Sequence, residues 1–327
     1  MNKKPLVSVI VPNYNYARFL EQRMETLLCQ TYKNIEVILL DDASTDESLE
    51  IIKLYQHNSR VSHVEINTCN SGTPFIQWAN GLALARGKYV WIAESDDYSE
   101  LSFLDMVVPL MEENEDAALC FVGSFCVDEF GNKIGIDHDR WGKKQYSCKK
   151  GYKVFNGNDY LLYNMYWRCY IYNASGVLFR RDFAETVDKT KYCSMRSSGD
   201  WLFWIEMMRQ GKVIEIYKKL NFFRYHQSTS MKAKKAGIAL EEDFEIIKQM
   251  EKYLPQLTFY KRTLRRGVFY KKIKRADVDP MIRLSLFNRL KEDLGGGFGA
   301  YVIERINRYL SFFLPCLCTE QRERLWF

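Results

Sequence analysis

The feature that most constrains this chain is the regular alternation of short apolar runs with helical patterns over its first hundred residues. The apolar runs occupy residues 6–11, 35–40, 61–66 and 89–93. Between them, segments such as 17–29 and 74–85 place apolar residues at helical spacing, and the capping residues at 44–47 predict a helix that begins near Ser44. This order is typical of a mostly parallel sheet with helices on both faces, so we predict an α/β fold. Its ligands should collect beyond the carboxyl ends of the strands.

Acidic residues stand where that crevice should be. Two follow the second predicted strand, three follow the fourth, and one opens a later helix: Asp41, Asp42, Glu94, Asp96, Asp97 and Asp200. A neutral ligand would not balance this much negative charge, whereas a divalent cation would. Mg²⁺ and Mn²⁺ prefer carboxylate oxygens and typically bind through one or two of them together with substrate phosphates.

The rest of the chain divides into an irregular aromatic region and a helical C-terminal part. Residues 125–170 are dense in Trp and Tyr, which form either a sugar-stacking surface or a packed insertion. Strand and helix patterns then return, at 174–180, 201–208, 213–217 and 221–225. Helical patterns follow at 238–254, 259–275, 280–294 and 298–313. We therefore predict a sheet domain over residues 1–230 and a helical module over 231–327.

The two predicted units differ in charge. Residues 1–230 carry 27 Lys and Arg against 29 Asp and Glu, whereas residues 231–327 carry 20 against 12. A basic module can bind nucleic acid, an anionic membrane surface or a phosphorylated substrate, or it can simply present a solvated face. No RNA-binding signature accompanies the basic residues, so nucleic acid is not an expected partner.

Several classes lose support because their motifs are missing. The sequence has no GxxxxGK[ST], GxGxxG, HExxH or GxSxG pattern, which argues against P-loop hydrolases, typical dinucleotide dehydrogenases, zincins and serine hydrolases. The first residues lack the apolar block of a secretory signal, and no apolar run approaches the roughly 20 residues that span a bilayer. Nine scattered cysteines without a CxxC pair suit reduced thiols, so a cytoplasmic location is expected.

An ordered set of motifs resembles the family 2 glycosyltransferases over residues 5–230. These motifs lie at 9–15, 39–46, 80–97, 198–201 and 224–226. The resemblance implies a GT-A fold, a nucleotide-sugar donor, and transfer with inversion to a hydroxyl of a glycan or lipid-linked glycan, as in bacterial polysaccharide synthesis. A hexosyltransferase is the implied class. A sugar nucleotidyltransferase and a non-catalytic nucleotide-sugar-binding relative remain as alternatives.

The resemblance also implies roles on the donor side. Pro12 and Tyr14 would line the nucleobase pocket, and Asp42 would accept a hydrogen bond from the base ring N–H. Asp96 would bind Mg²⁺ or Mn²⁺, with Asp97 beside it and Glu94 in the position where the family usually has the first Asp. The alternatives are a core aromatic for Tyr14 and a helix cap for Asp42.

Two further roles follow from the same resemblance. Asp200 matches the general base that deprotonates the acceptor, although Gly199 stands where the family often has Glu; its alternative is an N-cap for the following helix. His226 resembles a late histidine that reaches the metal or diphosphate, or it is structural. The basic module would be a lid over the acceptor, a mere cap on the sheet, or a docking surface for the inner face of a membrane.

Overall fold

The computed structural model describes residues 4–226 and 237–317, and a nine-stranded sheet forms its centre. The strands are β1 Val7–Asn13, β2 Ile35–Asp41, β3 Val61–Ile66, β4 Tyr89–Ile92, β5 Tyr98–Ser99, β6 Ala117–Val127, β7 Tyr152–Phe155, β8 Val177–Arg180 and β9 Lys212–Arg224. The helices before the undescribed gap are α1 Ala17–Leu28, α2 Ser48–Tyr55, α3 Pro74–Leu84, α4 Phe103–Glu113, α5 Lys143–Tyr146, α6 Gly157–Tyr160, α7 Arg181–Ala184, α8 Lys189–Cys193 and α9 Gly199–Met208. Those after it are α10 Ile238–Tyr253, α11 Phe259–Arg275, α12 Pro280–Leu294 and α13 Phe298–Phe313.

The sheet confirms the α/β class and is parallel in its first half. Its order is β3-β2-β1-β4-β8-β6-β9-β5, with β7 also pairing with β9. β1 to β4 are mutually parallel, but β8 runs antiparallel to both β4 and β6. β6 and β9 also pair in parallel, and every antiparallel pair involves β5, β7 or β8, so the mostly parallel prediction is confirmed. A parallel return needs a crossover, usually a helix, and the chain reaches β8 through the irregular 125–176 region instead.

Two elements differ from the sequence prediction, one in where a helix begins and one in the length of a strand. α2 begins at Ser48 rather than near Ser44, since the Asp41 carboxylate accepts hydrogen bonds from the Ser44 N–H and hydroxyl at 2.8 and 2.6 Å. Ala43 adopts the left-handed conformation in this turn, with φ of 62°. The two strands predicted at 213–217 and 221–225 are one strand, β9, whose pairing with β6 shifts register at Gly123.

Two hydrophobic cores lie on opposite faces of the sheet. In β1, Val9 packs into the core that also contains α1 and α4, whereas Ile10 packs into the core that contains α3 and α9. Several aromatic residues of the irregular region belong to the second core, where Tyr160, Tyr166 and Trp167 are buried, whereas Tyr152 packs against the first core and Tyr146 is exposed. Most of that region is therefore a packed insertion, and its large aromatic side chains support the sheet.

The C-terminal helices continue the second core. Phe244 and Ile247 of α10 are buried in the same cluster as Trp201 of α9. Tyr166 donates a hydrogen bond to Glu251 of α10 at 2.7 Å, and Glu251 also pairs with Arg266 of α11. The predicted boundary at residue 230 lies outside the described residues. Within the two described ranges, no helix has the length and apolar character needed to cross a bilayer.

Candidate active site

The ends of β1 and β2 form the first part of the candidate site. Asn13 pairs with Asp41 in the parallel register, and its amide donates to the Asp41 carboxylate at 2.8 Å. Asn15 follows with φ of 58°, and its side-chain oxygen accepts the Thr45 N–H at 2.7 Å. These bonds fasten the loop after β1 to the loop after β2, so the two loops form one rigid rim.

Tyr14 lies on that rim with its side chain 40% exposed, so the core-aromatic alternative is wrong. Pro12 is buried below it, and the Pro12 carbonyl accepts a hydrogen bond from the Ser95 hydroxyl at 2.7 Å. The structure therefore brings Pro12 and the segment after β4 together and leaves Tyr14 free to stack against a flat group. The nucleobase role of both residues stays a prediction.

Asp42 is 4% exposed, and its carboxylate organises the segment that leads into α3. It accepts hydrogen bonds from the side chains of Asn67, Asn70 and Gln77 at 2.7, 3.0 and 2.7 Å, and from both the N–H and the hydroxyl of Ser71. The carboxylate thus faces the 67–77 segment rather than the start of α2, and the helix-cap alternative is wrong. Its contact with a nucleobase stays a prediction.

The segment after β4 gathers acidic side chains in a buried setting. Trp78 of α3 donates to the Glu94 carboxylate at 2.9 Å. Burial, and then the negative charge of Asp96, raises the pKa of Glu94 to about 8. The same two causes raise the pKa of Asp97, although the Arg224 N–H donates to its carboxylate at 3.0 Å. Both acids thus ionise less readily than ordinary carboxyl groups.

Asp96 is brought together with His226. The His226 Nε2 lies 2.9 Å from the Asp96 Oδ2, and the imidazole is enclosed by the rings of Tyr16 and Phe19 at 5.2 and 5.6 Å. The His226 side chain is 4% exposed, against 20% for Asp96, so Asp96 is the more accessible of the pair.

Asp96 and His226 fit a divalent cation that is only partly held by protein side chains. No group of three or more His, Cys, Asp or Glu side chains in residues 4–226 and 237–317 is arranged to hold a metal ion. A protein-only cage is therefore not formed by the described residues. One carboxylate and one imidazole still fit an ion that takes its remaining ligands from substrate phosphates and water.

Two arginines near the acidic segment were missed by sequence reasoning. Arg23 of α1 is fully buried, with its guanidinium 5.0 Å from the Trp91 ring, and none of its three side-chain nitrogens has a hydrogen-bond partner among the described residues. Burial lowers its pKa to about 10 against the opposing attraction of Asp97, Glu94 and Asp96. Its position on the apolar face of α1, between Phe19 and Leu27, was the available signal.

The second missed residue, Arg224, ties the end of β9 to the acidic segment. Its Nε donates to the Asp96 carbonyl at 2.8 Å, and a terminal nitrogen donates to the Gln22 side chain at 2.6 Å. Its place beside Tyr225 and His226 in the motif at 224–226 was visible, but these long-range contacts were not. Arg224 thus fixes the backbone that carries Asp96.

Asp200 is the second residue of α9, and its carboxylate accepts the Trp201 N–H at 2.7 Å. Ser198 occupies the N-cap position, so the N-cap alternative for Asp200 is wrong. Burial raises the pKa of Asp200 to about 7, and the charges of Asp243 and Glu242 add to that effect. A carboxylate with this pKa is partly ionised at neutral pH and is suited to accept a proton.

Packing explains the glycine before Asp200. A Cβ at Gly199 would lie 2.5 Å from the Phe75 ring and 2.6 Å from the Tyr192 carbonyl oxygen. Since no side chain fits there, the Glu that the resemblance leads one to expect is excluded by the neighbouring helix α3.

Helix α3 connects the three groups of acids. Gln77 donates to Asp42, Trp78 donates to Glu94, and the Phe75 ring packs on Gly199 next to Asp200. All three side chains come from the first turns of one helix. The acids predicted to surround one crevice are therefore fixed relative to each other.

Comparison with known proteins gives a family match and a fold match. Residues 8–187 match the sequence model described as Glycosyl transferase family 2. The glycosyltransferase GlyG of Streptococcus pneumoniae is 36% identical over 113 residues, which are 34% of this chain and 36% of GlyG. The match thus spans about a third of that relative's length.

Two solved structures share the fold at low sequence identity. S. aureus TarS 1-349 in complex with UDP-GlcNAc has a TM-score of 0.68 at 15% identity, covering 95% of this chain and 87% of that one. The mannosyltransferase PcManGT from Pyrobaculum calidifontis, in complex with GDP-Man and Mn²⁺, has a TM-score of 0.55 at 15% identity, covering 96% and 82%. These likenesses show the GT-A fold.

Proposed function

This chain belongs to glycosyl transferase family 2, and on that premise we propose that it is an inverting glycosyltransferase. It takes a sugar from a nucleotide-sugar donor and passes it to a hydroxyl group of a glycan or lipid-linked glycan. The observation that carries the proposal is the contact of α3 with all three acidic groups, because it holds the candidate base in fixed relation to the candidate donor site.

The donor binds at the rim formed after β1 and β2. Tyr14 stacks on the nucleobase with its exposed ring, and Pro12 supports the loop beneath it. Asp42 accepts the base N–H in exchange for one of its side-chain donors, for which Asn70 at 3.0 Å is the longest of the three side-chain amide contacts. The likeness to TarS with UDP-GlcNAc and to PcManGT with GDP-Man supports a nucleotide-sugar donor.

Asp96, together with His226, would hold Mg²⁺ or Mn²⁺ beside the donor diphosphate, and Glu94 and Asp97 belong to the same acidic segment. A bound ion supplies charge neutralisation at the leaving diphosphate. The PcManGT complex with Mn²⁺ supports this part of the proposal.

Asp200 is the general base. Its carboxylate takes the proton from the acceptor hydroxyl while that oxygen attacks the anomeric carbon from the side opposite the nucleoside diphosphate. One displacement inverts the configuration. Positioned proton transfer of this kind contributes about 10²–10⁴-fold to the rate. The protein acts in the cytoplasm, with its basic C-terminal module against the inner face of the membrane.

Calorimetry tests the donor and metal part of the proposal. Binding of UDP and GDP to the full chain is measured with Mn²⁺ and with a chelator. In Asp96→Ala, metal-dependent affinity should fall by about 10–100-fold or more, the range seen when even a supporting partner of a metal ligand is lost. The control Asp105→Ala removes an exposed acid that pairs with Lys4 at 3.5 Å, and it should bind as the wild type does.

Three outcomes would contradict the proposal or favour an alternative function. Equal diphosphate affinity with Mn²⁺ and with chelator contradicts the metal role. Release of pyrophosphate from a nucleoside triphosphate and a sugar phosphate would indicate a nucleotidyltransferase. Metal-dependent binding of nucleotide sugars without transfer to any glycan acceptor would indicate a non-catalytic relative.

A further inference from the structure

Helix α13 packs with the opposite polarity to an ordinary amphipathic helix. Its side against α11 carries Glu304 and Asn307, which are 4% and 5% exposed. Glu304 pairs with Arg308, and Asn307 accepts a hydrogen bond from Tyr260 of α11 at 2.7 Å. A surface helix normally turns its polar side to water and its apolar side to the core.

The outward side of α13 is apolar along its length. We call this surface the α13 face; it consists of Val302, Ile303, Ile306, Tyr309, Leu310 and Phe313, each at least 38% exposed. At 100° per residue these positions fall within an arc of about 120°. Phe312 and Leu314 extend the apolar surface at its C-terminal end. Apolar side chains that are contiguous and exposed mark a surface that another molecule covers.

The positive charge around the α13 face indicates which kind of partner covers it. Residues 258–317 carry 13 Lys and Arg against five Asp and Glu, and Arg305 is exposed on α13 itself. Lys274 of α11 lies 5.8 Å from the Tyr301 ring at the start of α13. A second copy of this chain would bring the same positive charge to the interface, whereas anionic lipid headgroups would neutralise it.

We propose that the α13 face docks this protein onto a lipid surface with anionic headgroups. α13 lies in the plane of the interface, with its aromatic and aliphatic side chains inserted below the headgroups. The 16 residues of α13 are too few to span a bilayer, which agrees with a helix that lies on the surface. This inference sharpens the membrane element of the proposed function but does not depend on sugar transfer.

Vesicle binding tests the proposal on the full chain. Sedimentation is measured with vesicles of phosphatidylcholine alone and of phosphatidylcholine mixed with phosphatidylglycerol. Ile306→Glu and Phe313→Glu should each weaken binding to the mixed vesicles about tenfold or more, because each removes an inserted apolar group. The control Met281→Glu makes the same charge change at an exposed apolar residue of α12 and should bind like the wild type.

The results of the vesicle experiment either support docking through α13 or overturn it. Loss of vesicle binding in both α13 variants, with binding kept by the control, supports docking through α13. Equal weakening in all three variants would show that charge alone binds the vesicles, and it overturns the proposal. Self-association of the wild type that the α13 variants abolish, with no vesicle binding, also overturns it and makes a second copy the occupant.

A second inference comes from the contact between α10 and the segment before α9. The N–H groups of Arg196, Ser197 and Ser198 all donate to the Glu242 carboxylate, at 2.7, 2.9 and 2.8 Å. The Ser198 hydroxyl also donates to Asp243 at 3.1 Å. One side chain of the C-terminal module therefore binds three consecutive backbone groups that end two residues before Asp200.

We infer that Glu242 is a positioning residue for Asp200. Charge-assisted hydrogen bonds to a carboxylate are short and strong, and three of them fix the conformation of the segment that enters α9. Asp200 lies in the first turn of that helix, so the direction of its carboxylate depends on the conformation of residues 196–198. This inference rests on the proposed role of Asp200 as base.

The test compares Glu242→Gln with Glu241→Gln in the full chain. Glu241 is the neighbouring acid of α10 and pairs with Arg289 at 3.4 Å, so its variant controls for charge and helix stability. Glu242→Gln should lower kcat about tenfold while the donor Kd stays unchanged, because a misplaced base affects the transition state. Amide exchange at 196–198, measured without substrate, should accelerate only in Glu242→Gln.

Faster exchange with unchanged kcat would overturn the positioning role, as would equal loss of kcat in the two variants. Neither result tests whether Asp200 is the base, because the Asp200→Asn variant tests that role separately. The two failures are therefore distinguishable.

Discussion

Asp42 and Asp200 are both largely enclosed acids next to α3, yet their surroundings differ. The Asp42 carboxylate accepts hydrogen bonds from four neighbouring residues and fastens a whole segment. Asp200 accepts a hydrogen bond from its own helix, and its neighbours on α10 are further acids. A carboxylate surrounded by donors acts as a structural anchor, whereas burial near other acids raises the pKa of Asp200. The difference separates an acid that builds the site from an acid that can act in it.

The largest effect should come from removing the proton acceptor. Asp200→Asn keeps the size of the side chain and an oxygen that can accept the Trp201 N–H. Turnover should fall about 10²-fold or more with little change in the donor Kd, since the lost interaction belongs to the transition state. Transfer rate, donor Kd and Tm together check this. Glu206→Gln, which alters an acid of α9 that pairs with Arg209, is the control. Transfer near the wild-type rate in Asp200→Asn would remove Asp200 from the mechanism.

The pH dependence of kcat should also differ between the wild type and Asp200→Asn. Because the pKa of Asp200 is raised to about 7, its carboxylate is mostly protonated below that pH and cannot accept the acceptor proton. We expect kcat to rise about tenfold per pH unit below 7 and to level off above it. In Asp200→Asn the remaining activity should lack this limb. A limb of the same shape in the variant would assign the titration to another group.

The raised pKa of Asp200 also makes the stability of the fold depend on pH. The unfolded chain ionises Asp200 near the ordinary value of 3.8, so between pH 3.8 and about 7 the folded state holds the proton more tightly. The contribution of Asp200 to folding therefore becomes less favourable as pH rises through that window. Asp200→Asn should gain Tm relative to the wild type between pH 4 and pH 8, which thermal melts at several pH values measure.

A smaller effect should follow from crowding the contact between α3 and α9. Gly199→Ala places a methyl group against the Phe75 ring, and overpacking of this kind costs about 1–3 kcal/mol. Gly299→Ala is the matched control, because a Cβ at that position of α13 meets no atom within 4 Å. Urea unfolding of both variants measures the difference. Equal stability of the two would show that the α3 contact yields easily and does not fix Asp200.

Sequence reasoning located the parts of the site that depend on local pattern. The acids at 41–42 and 94–97 follow apolar strands, and parallel strands bring their carboxyl ends to one edge, so their grouping was predictable. The family match to residues 8–187 confirms the resemblance on which their roles were based. Those roles themselves stay predictions.

The missed features depend on contacts between distant parts of the chain. Glu242 lies 46 positions from Arg196, and Arg224 lies more than 100 positions from the acids that it supports. Arg23 stood out only as a charge on an apolar helix face. The start of α2 was misplaced because the Asp41 side chain competes for the backbone groups that would have begun the helix.

The three contacts of α3 have a consequence for anyone who recombines this protein with a relative. Donor preference and acceptor preference are often treated as separable halves that can be exchanged at the middle of the chain. Here Gln77, Trp78 and Phe75 belong to one rigid helix and reach both halves. A chimera that takes residues 67–84 from one parent and residues 193–200 from the other would combine an unmatched helix and base. Productive exchanges should therefore move these two segments together.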